Sequence, residues 1–107
     1  MNYPDDEAGQ VLAEMHQAGI DLSQSHEVVF FHLFEQENQA KAMVEYLKAH
    51  LPAVKCHLHP DENPNVWDLD CTLVITPSYE AIIEQESLLE KIATQFSGYN
   101  DGWGIEA

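Results

Sequence analysis

The chain has 107 residues, 45% of them hydrophobic, with 19 acidic side chains against four lysines and no arginine, a formal charge of -15 at pH 7. That length makes one domain spanning residues 1–107, and the apolar share is enough to bury a core in spite of the charge. Four scattered cations cannot displace the counterions of a phosphate backbone, which excludes direct DNA or RNA binding, and the longest apolar run, Val28-Val29-Phe30-Phe31, is far too short to cross a membrane.

Asp5, Asp6 and Glu7, just after Pro4, suit a helix N-terminus, where acidic groups oppose the positive end of the macrodipole. Ala8, Val11, Leu12 and Met15 then recur at spacings of three and four, one face of a helix. Gly19 is placed to cap it, with Ile20 folding back on Met15. Asp21 to Ser25 reads as a connection. His26 to Glu35 is β-branched and aromatic at its centre and predicts a strand. Val28 and Phe30 share one of its faces, Val29, Phe31 and Leu33 the other, so the strand is apolar on both sides and central in its sheet.

Ala40, Met43, Val44, Leu47 and Leu51 trace a second amphipathic helix, ended by Pro52. Residues 53–59 alternate, with Val54, Cys56 and Leu58 on one face and Lys55, His57 and His59 on the other. Pro60 to Asn65 forms an irregular turn. The next run alternates most clearly, placing Trp67, Leu69, Cys71, Leu73 and Ile75 opposite Asp68, Asp70, Thr72, Val74 and Thr76. Ser78 is set as an N-cap, and Tyr79, Ile82, Ile83, Leu89, Ile92, Ala93 and Phe96 form the buried stripe of a third helix, which Gly98 closes. The remaining residues, from Tyr99, predict a turn and one short strand.

The order is α-β-α-β-β-α-β. Without its first helix it reads βαββαβ, the split βαβ pattern of ferredoxin-like folds. The expected architecture is an α+β two-layer sandwich, with three helices on one face of a four-stranded antiparallel sheet. Residues 66–76 then lie between the first two strands, antiparallel to both, and the Trp67 to Ile75 face lies under the helices.

Charge is unevenly placed along this frame. Residues 1–27 hold six acidic groups and no lysine, residues 28–60 three of each sign, and residues 61–107 ten acidic groups and one lysine. Electrostatic attraction therefore resides in the two ends and in whatever packs beside them, and its natural target is a basic polypeptide. The N-terminus carries neither the basic nor the apolar region of a signal peptide, which predicts a cytoplasmic protein.

Cys56 and Cys71 fall on adjacent strands facing inward and read as buried thiols rather than a disulfide. The open sheet face brings His57 and His59 beside Asp68 and Asp70, with His32 beyond. Two imidazoles and a carboxylate can bind a divalent ion, but polar alternation on a solvated face yields the same pattern without function, so no metal or other cofactor is assigned. Asp68 and Asp70 lie roughly 7 Å apart along their strand, yet an open sheet gives no walls to exclude water, so catalysis is not expected. Asp101-Gly102-Trp103-Gly104 is the most unusual stretch. Two glycines flank a tryptophan that either plugs the core, the favoured reading, or anchors a partner.

Tyr99-Asn100-Asp101-Gly102-Trp103-Gly104, following an acidic, apolar-striped helix, resembles the YDGWG end of the RraB proteins, regulators of ribonuclease E activity B. Gly19-Ile20-Asp21 leading to Phe31-His32-Leu33, and the strand beginning Trp67-Asp68-Leu69-Asp70-Cys71-Thr72, are similar in kind and order. Two departures mark a divergent, short member: Asn100 is inserted in the motif, and the sequence reaches Ala107 without the acidic tail of well-known members. The resemblance implies the same element order and a non-enzymatic protein that binds ribonuclease E, whose target region is basic, and inhibits or redirects RNA decay.

These observations predict an acidic protein-binding regulator, a monomer or weak homodimer, whose partner is ribonuclease E or another basic RNA-processing protein. The contact residues expected are Asp68, Asp70, His57, Asp101 and Trp103. A small His/Asp metal-binding domain is the alternative, as is a homodimer that pairs through Val28, Phe30 and Val74 on the bare sheet face.

Overall fold

Asp6 opens the first helix by accepting a hydrogen bond from the Gly9 amide at 2.8 Å, an N-cap that satisfies one of the unpaired donors of the first turn. The structure, a computed structural model, describes residues 6–63 and 65–106. Pro4, Asp5 and Pro64, and the side chains of Glu7 and Ala8, lie outside the described residues. α1 (Glu7–Gln17) ends with paired bonds from Gly19 N to His16 O and from Ile20 N to Met15 O, both 3.1 Å, with Gly19 at a φ of 93°. This is the Schellman closure.

β1 (His26–Phe34), α2 (Glu37–His50), β2 (Lys55–Pro60), β3 (Trp67–Ile75), α3 (Tyr79–Gln95) and β4 (Tyr99–Glu106) follow. The last differs from the expected turn with a short strand, because one strand runs from Tyr99 to Glu106 and pairs with β1 on both sides of Asp101 and Gly102. The reason lies in Gly102, whose φ of 99° coincides with a register shift opposite Phe30 to His32. A glycine there lets one strand carry an extra residue as a bulge instead of turning away.

The four strands form one antiparallel sheet in the order β2-β3-β1-β4, so β3 lies between β1 and β2. Register decides the faces. Val28 stands opposite Leu73, Phe30 opposite Cys71, His32 opposite Leu69 and Phe34 opposite Trp67, while Cys56 and Leu58 of β2 meet Cys71 and Leu69. With a side-chain period of two, all of these share the face that carries α2 and α3. Val28 and Phe30 are 0% and 1% exposed in the main core, so the homodimer surface expected of them is not present; of that trio only Val74, at 61%, is open. His32, at 1% exposure, is likewise on the helix side and not beyond the open-face aspartates.

α2 packs on β1, β2 and β3 through Ala40, Met43 and Leu47, and α3 packs on β1 and β4. Each fully buried side chain of Leu or Phe size contributes about 1.5–3 kcal/mol by leaving water. α1 makes its main contact with α3 and is tied to it at the start, where the Tyr79 hydroxyl donates to the Asp6 carboxylate. That bond, with the Gly9 amide, holds the Asp6 carboxyl below its ordinary range. Leu12, Leu22 and Val29 are buried outside the main cluster.

The end of α3 corrects the role of Gly98. Ser97 takes the left-handed conformation at a φ of 64°, while Gly98 N bonds to Ala93 O at 2.8 Å and Ser97 N to Thr94 O at 3.1 Å. Gly98 is needed for a different reason: a Cβ there would fall 2.4 Å from Cε2 and 2.6 Å from Cζ of the buried Phe34 ring. The glycine lets the chain pass close over the Phe34 ring and enter β4 beside β1.

Candidate functional site

The five residues expected to meet a partner fall into two places. Alternation along β2 and β3 sends His57, His59, Asp68 and Asp70 to the outer face, with His57 opposite Asp70 and His59 opposite Asp68. The contacts run diagonally. His59 Nε2 lies 3.1 Å from Asp70 Oδ2 and its Nδ1 lies 3.9 Å from Asp68 Oδ2, while the His57 and His59 ring centres are 5.0 Å apart with the rings tilted by 37°. Partial burial would lower the His59 pKa, but the Asp70 hydrogen bond and the charges of Asp70 and Asp68 outweigh it, and the imidazole is raised above its usual 6.5. Asp68 is raised by burial and by the neighbouring Asp61 carboxylate, whereas Asp61 is lowered chiefly by the Asn63 amide. On this face the acids have an imidazole within reach.

Its carboxylates converge on one imidazole and not on a shared point in space. Among the described residues, no group of three or more His, Cys, Asp or Glu side chains is placed to hold a metal ion. The thiols of Cys56 and Cys71 are free and face each other on the other side of the same strands. The hydrogen bond they share and burial keep Cys71 protonated, the thiol pushed well up.

Asp101 and Trp103 lie at the opposite edge of the sheet, on β4. There a groove of about 530 Å³ is lined by Val11 of α1, Phe31 of β1, Glu86 of α3 and Asn100, Asp101, Gly102 and Trp103 of β4. Trp103 stands opposite Phe30 in the register and packs against the main core, as the plug reading expects, and it also borders the groove. Asn100 organises the rim: its Nδ2 donates to Glu86 at 3.2 Å and to Glu90 at 2.9 Å, and its Oδ1 accepts from the Gly102 amide at 3.0 Å. One amide thus holds two like charges, four residues apart on α3, beside the bulge.

Behind this rim, His32 pairs with Asn100 across β1 and β4. Its Nδ1 approaches Cys71 Sγ at 3.9 Å, and its Nε2 has no hydrogen-bond partner among the described residues. Burial is the chief influence and lowers its pKa against the opposing pull of Glu90 and Asp101. A neutral imidazole results, which gives the rim no countercharge.

The sequence of the groove edge is also its most recognisable part. A model of the family described as Regulator of ribonuclease activity B, RraB, matches residues 5–105. The chain belongs to the RraB family. Among curated proteins none matches it. The RraB description names a regulator of ribonuclease activity and not a catalyst. Among the described residues, no helix is long and apolar enough to cross a membrane.

Of the residues that line this groove, sequence reasoning singled out Asp101 and Trp103 as contact residues and passed over Glu86, Asn100, Phe31 and Val11. Glu86 and Glu90 do carry a signal, acidic residues at i and i+4 with no lysine set to bridge them, though only the register of β4 shows what lies between. Val11 reads as a core position of α1 and gives no hint that it borders a groove.

Proposed function

We propose that this RraB protein is a cytoplasmic, non-enzymatic regulator that binds an endoribonuclease of the ribonuclease E type directly, placing its acidic surface against a basic segment of the enzyme. The family match over residues 5–105 carries the reading. A charge of -15 with no arginine supplies the physical means, since opposite fields steer association. The contact surface comprises Asp101 and Trp103 at the β4 edge, with Asp68, Asp70 and His57 as a second patch across the sheet. Trp103 offers the desolvated aromatic contact typical of binding hot spots, and the aspartates add steering. We also read the arrangement as ferredoxin-like; βαββαβ connectivity after α1 and the order β2-β3-β1-β4 support this.

The test is capture of ribonuclease E fragments by the immobilised protein at about 50 mM and about 300 mM salt, where screening lengths differ more than twofold. Recovery of the basic segment should fall several-fold at the higher salt. Equal recovery at both, or none at either, overturns the proposal.

A further inference from the structure

We propose that the β4 edge groove is a seat for a single lysine or arginine side chain, presented by a peptide segment of a protein partner. The inference deepens the protein-binding reading above and rests on it. The groove's volume, about 530 Å³, is within the range of sites that take compact ligand groups, about 300–1,000 Å³. Its lining divides by chemistry: Val11, Phe31 and Trp103 provide apolar and aromatic surface, while Glu86 and Asp101 provide carboxylates. That division matches a long cationic side chain, whose methylene stem lies on apolar surface and whose head seeks anions and the face of an indole.

The acids of the rim are not neutralised from within. Among the described residues, the lysine ion pairs are Lys41 with Glu37 and Lys48 with Glu45, both on α2. Glu86 and Glu90 are held by Asn100, an amide with no charge to give, and His32 behind them is neutral. Two carboxylates, those of Glu86 and Asp101, therefore line one aromatic-walled groove, with Glu90 next to Glu86 on the same Asn100 amide, and among the described residues no lysine is paired with any of the three. A second copy of this chain is a poor occupant, since it brings another -15 and only four lysines. A nucleic acid is repelled for the same reason.

Two tryptophans make the test self-controlled: Trp103 borders the groove, and Trp67 lies on β3, packed on the core. The probe is a Gly-Ser peptide bearing several arginines, compared with a twin carrying neutral citrulline at each arginine, titrated into ¹⁵N-labelled protein. The arginine peptide should shift the Trp103 indole and Asn100 side-chain resonances saturably and leave the Trp67 indole in place. Glu86→Gln and Asp101→Asn should each weaken binding about two- to fivefold, the range of exposed ion pairs. Equal shifts from the citrulline twin, shifts confined to the Asp68 and Asp70 strand, or Trp103 shifts on concentrating the protein alone would each overturn the proposal.

Capture of ribonuclease fragments by the same variants separates this inference from its parent. Salt-sensitive capture unchanged in the double variant E86Q/D101N removes the groove and leaves the regulator. Arginine-dependent Trp103 shifts without capture of any ribonuclease fragment remove the regulator and leave the groove.

Discussion

The outer face of β2 and β3 and the far edge along β4 are built from similar side chains, acids beside ring systems, yet they differ in how their charge is met. On the first, His59 sits between Asp70 and Asp68 and can take up a proton to balance them. On the second, Asn100 spans Glu86 and Glu90 with a neutral amide, and the nearest imidazole, His32, is sealed in the core. The second also borders a hollow walled by α1, β1, α3 and β4. Residue type alone does not make an interaction site; an acid whose counterion is already inside the fold has less to offer a partner.

The largest effect should come from the device that places β4. Gly98→Ala would push a methyl into the Phe34 ring, which is fully buried and can give way only by displacing its core neighbours. A loss of about 1–3 kcal/mol is expected, the usual cost of overpacking a core, measured by urea denaturation. The Trp103 indole resonance should move in this variant while the His59 ring signals stay. Unchanged stability would mean that the close approach does not fix the strand.

The two histidines sharpen the contrast in pH. Burial lowers the His32 pKa, so below its ordinary 6.5 the unfolded chain binds more protons and stability drains away as pH falls. His32→Leu should leave stability at neutral pH within about 1 kcal/mol of the parent, because an imidazole with an unpartnered nitrogen is exchanged for an apolar side chain. Its stability should also fall less steeply from pH about 7 to about 5. An unaltered slope in thermal or urea titrations would show that His32 is not the group that resists protonation.

His59 runs the opposite way. Its raised pKa adds stability that is complete below 6.5 and is lost as pH climbs through the folded value. With the imidazole side chain 38% exposed, solvent screening keeps the energy small. Asp70→Asn should therefore lower the His59 titration midpoint seen by NMR and change overall stability by less than about 1 kcal/mol. A midpoint that does not move would remove the Asp70 contact as its cause.

Much of this was legible in the residues. The alternation of Trp67 to Ile75 gave the helix-facing side of β3, and the spacing of Ala40, Met43 and Leu47 gave the buried stripe of α2, because both carry one clean period. β1 was ambiguous, since Val28 to Phe31 is apolar on both faces, and only pairing with Leu73 and Cys71 shows that Val28, Phe30 and His32 point inward. Asp101 and Trp103 stood out through the glycines around them. The groove did not, because it joins four elements across the chain and its acid-holding residue, Asn100, looks in sequence like part of a turn.

The hydroxyl of Tyr79 grips Asp6 at the head of α1, outside the hollow that Val11 helps to wall. That wall belongs to a helix whose chief neighbour is another helix and not a strand, and the Asp6–Tyr79 bond ties the two together away from the lining residues. Removing the phenol or the carboxylate would cut a tie between the two helices and leave every lining residue as it is.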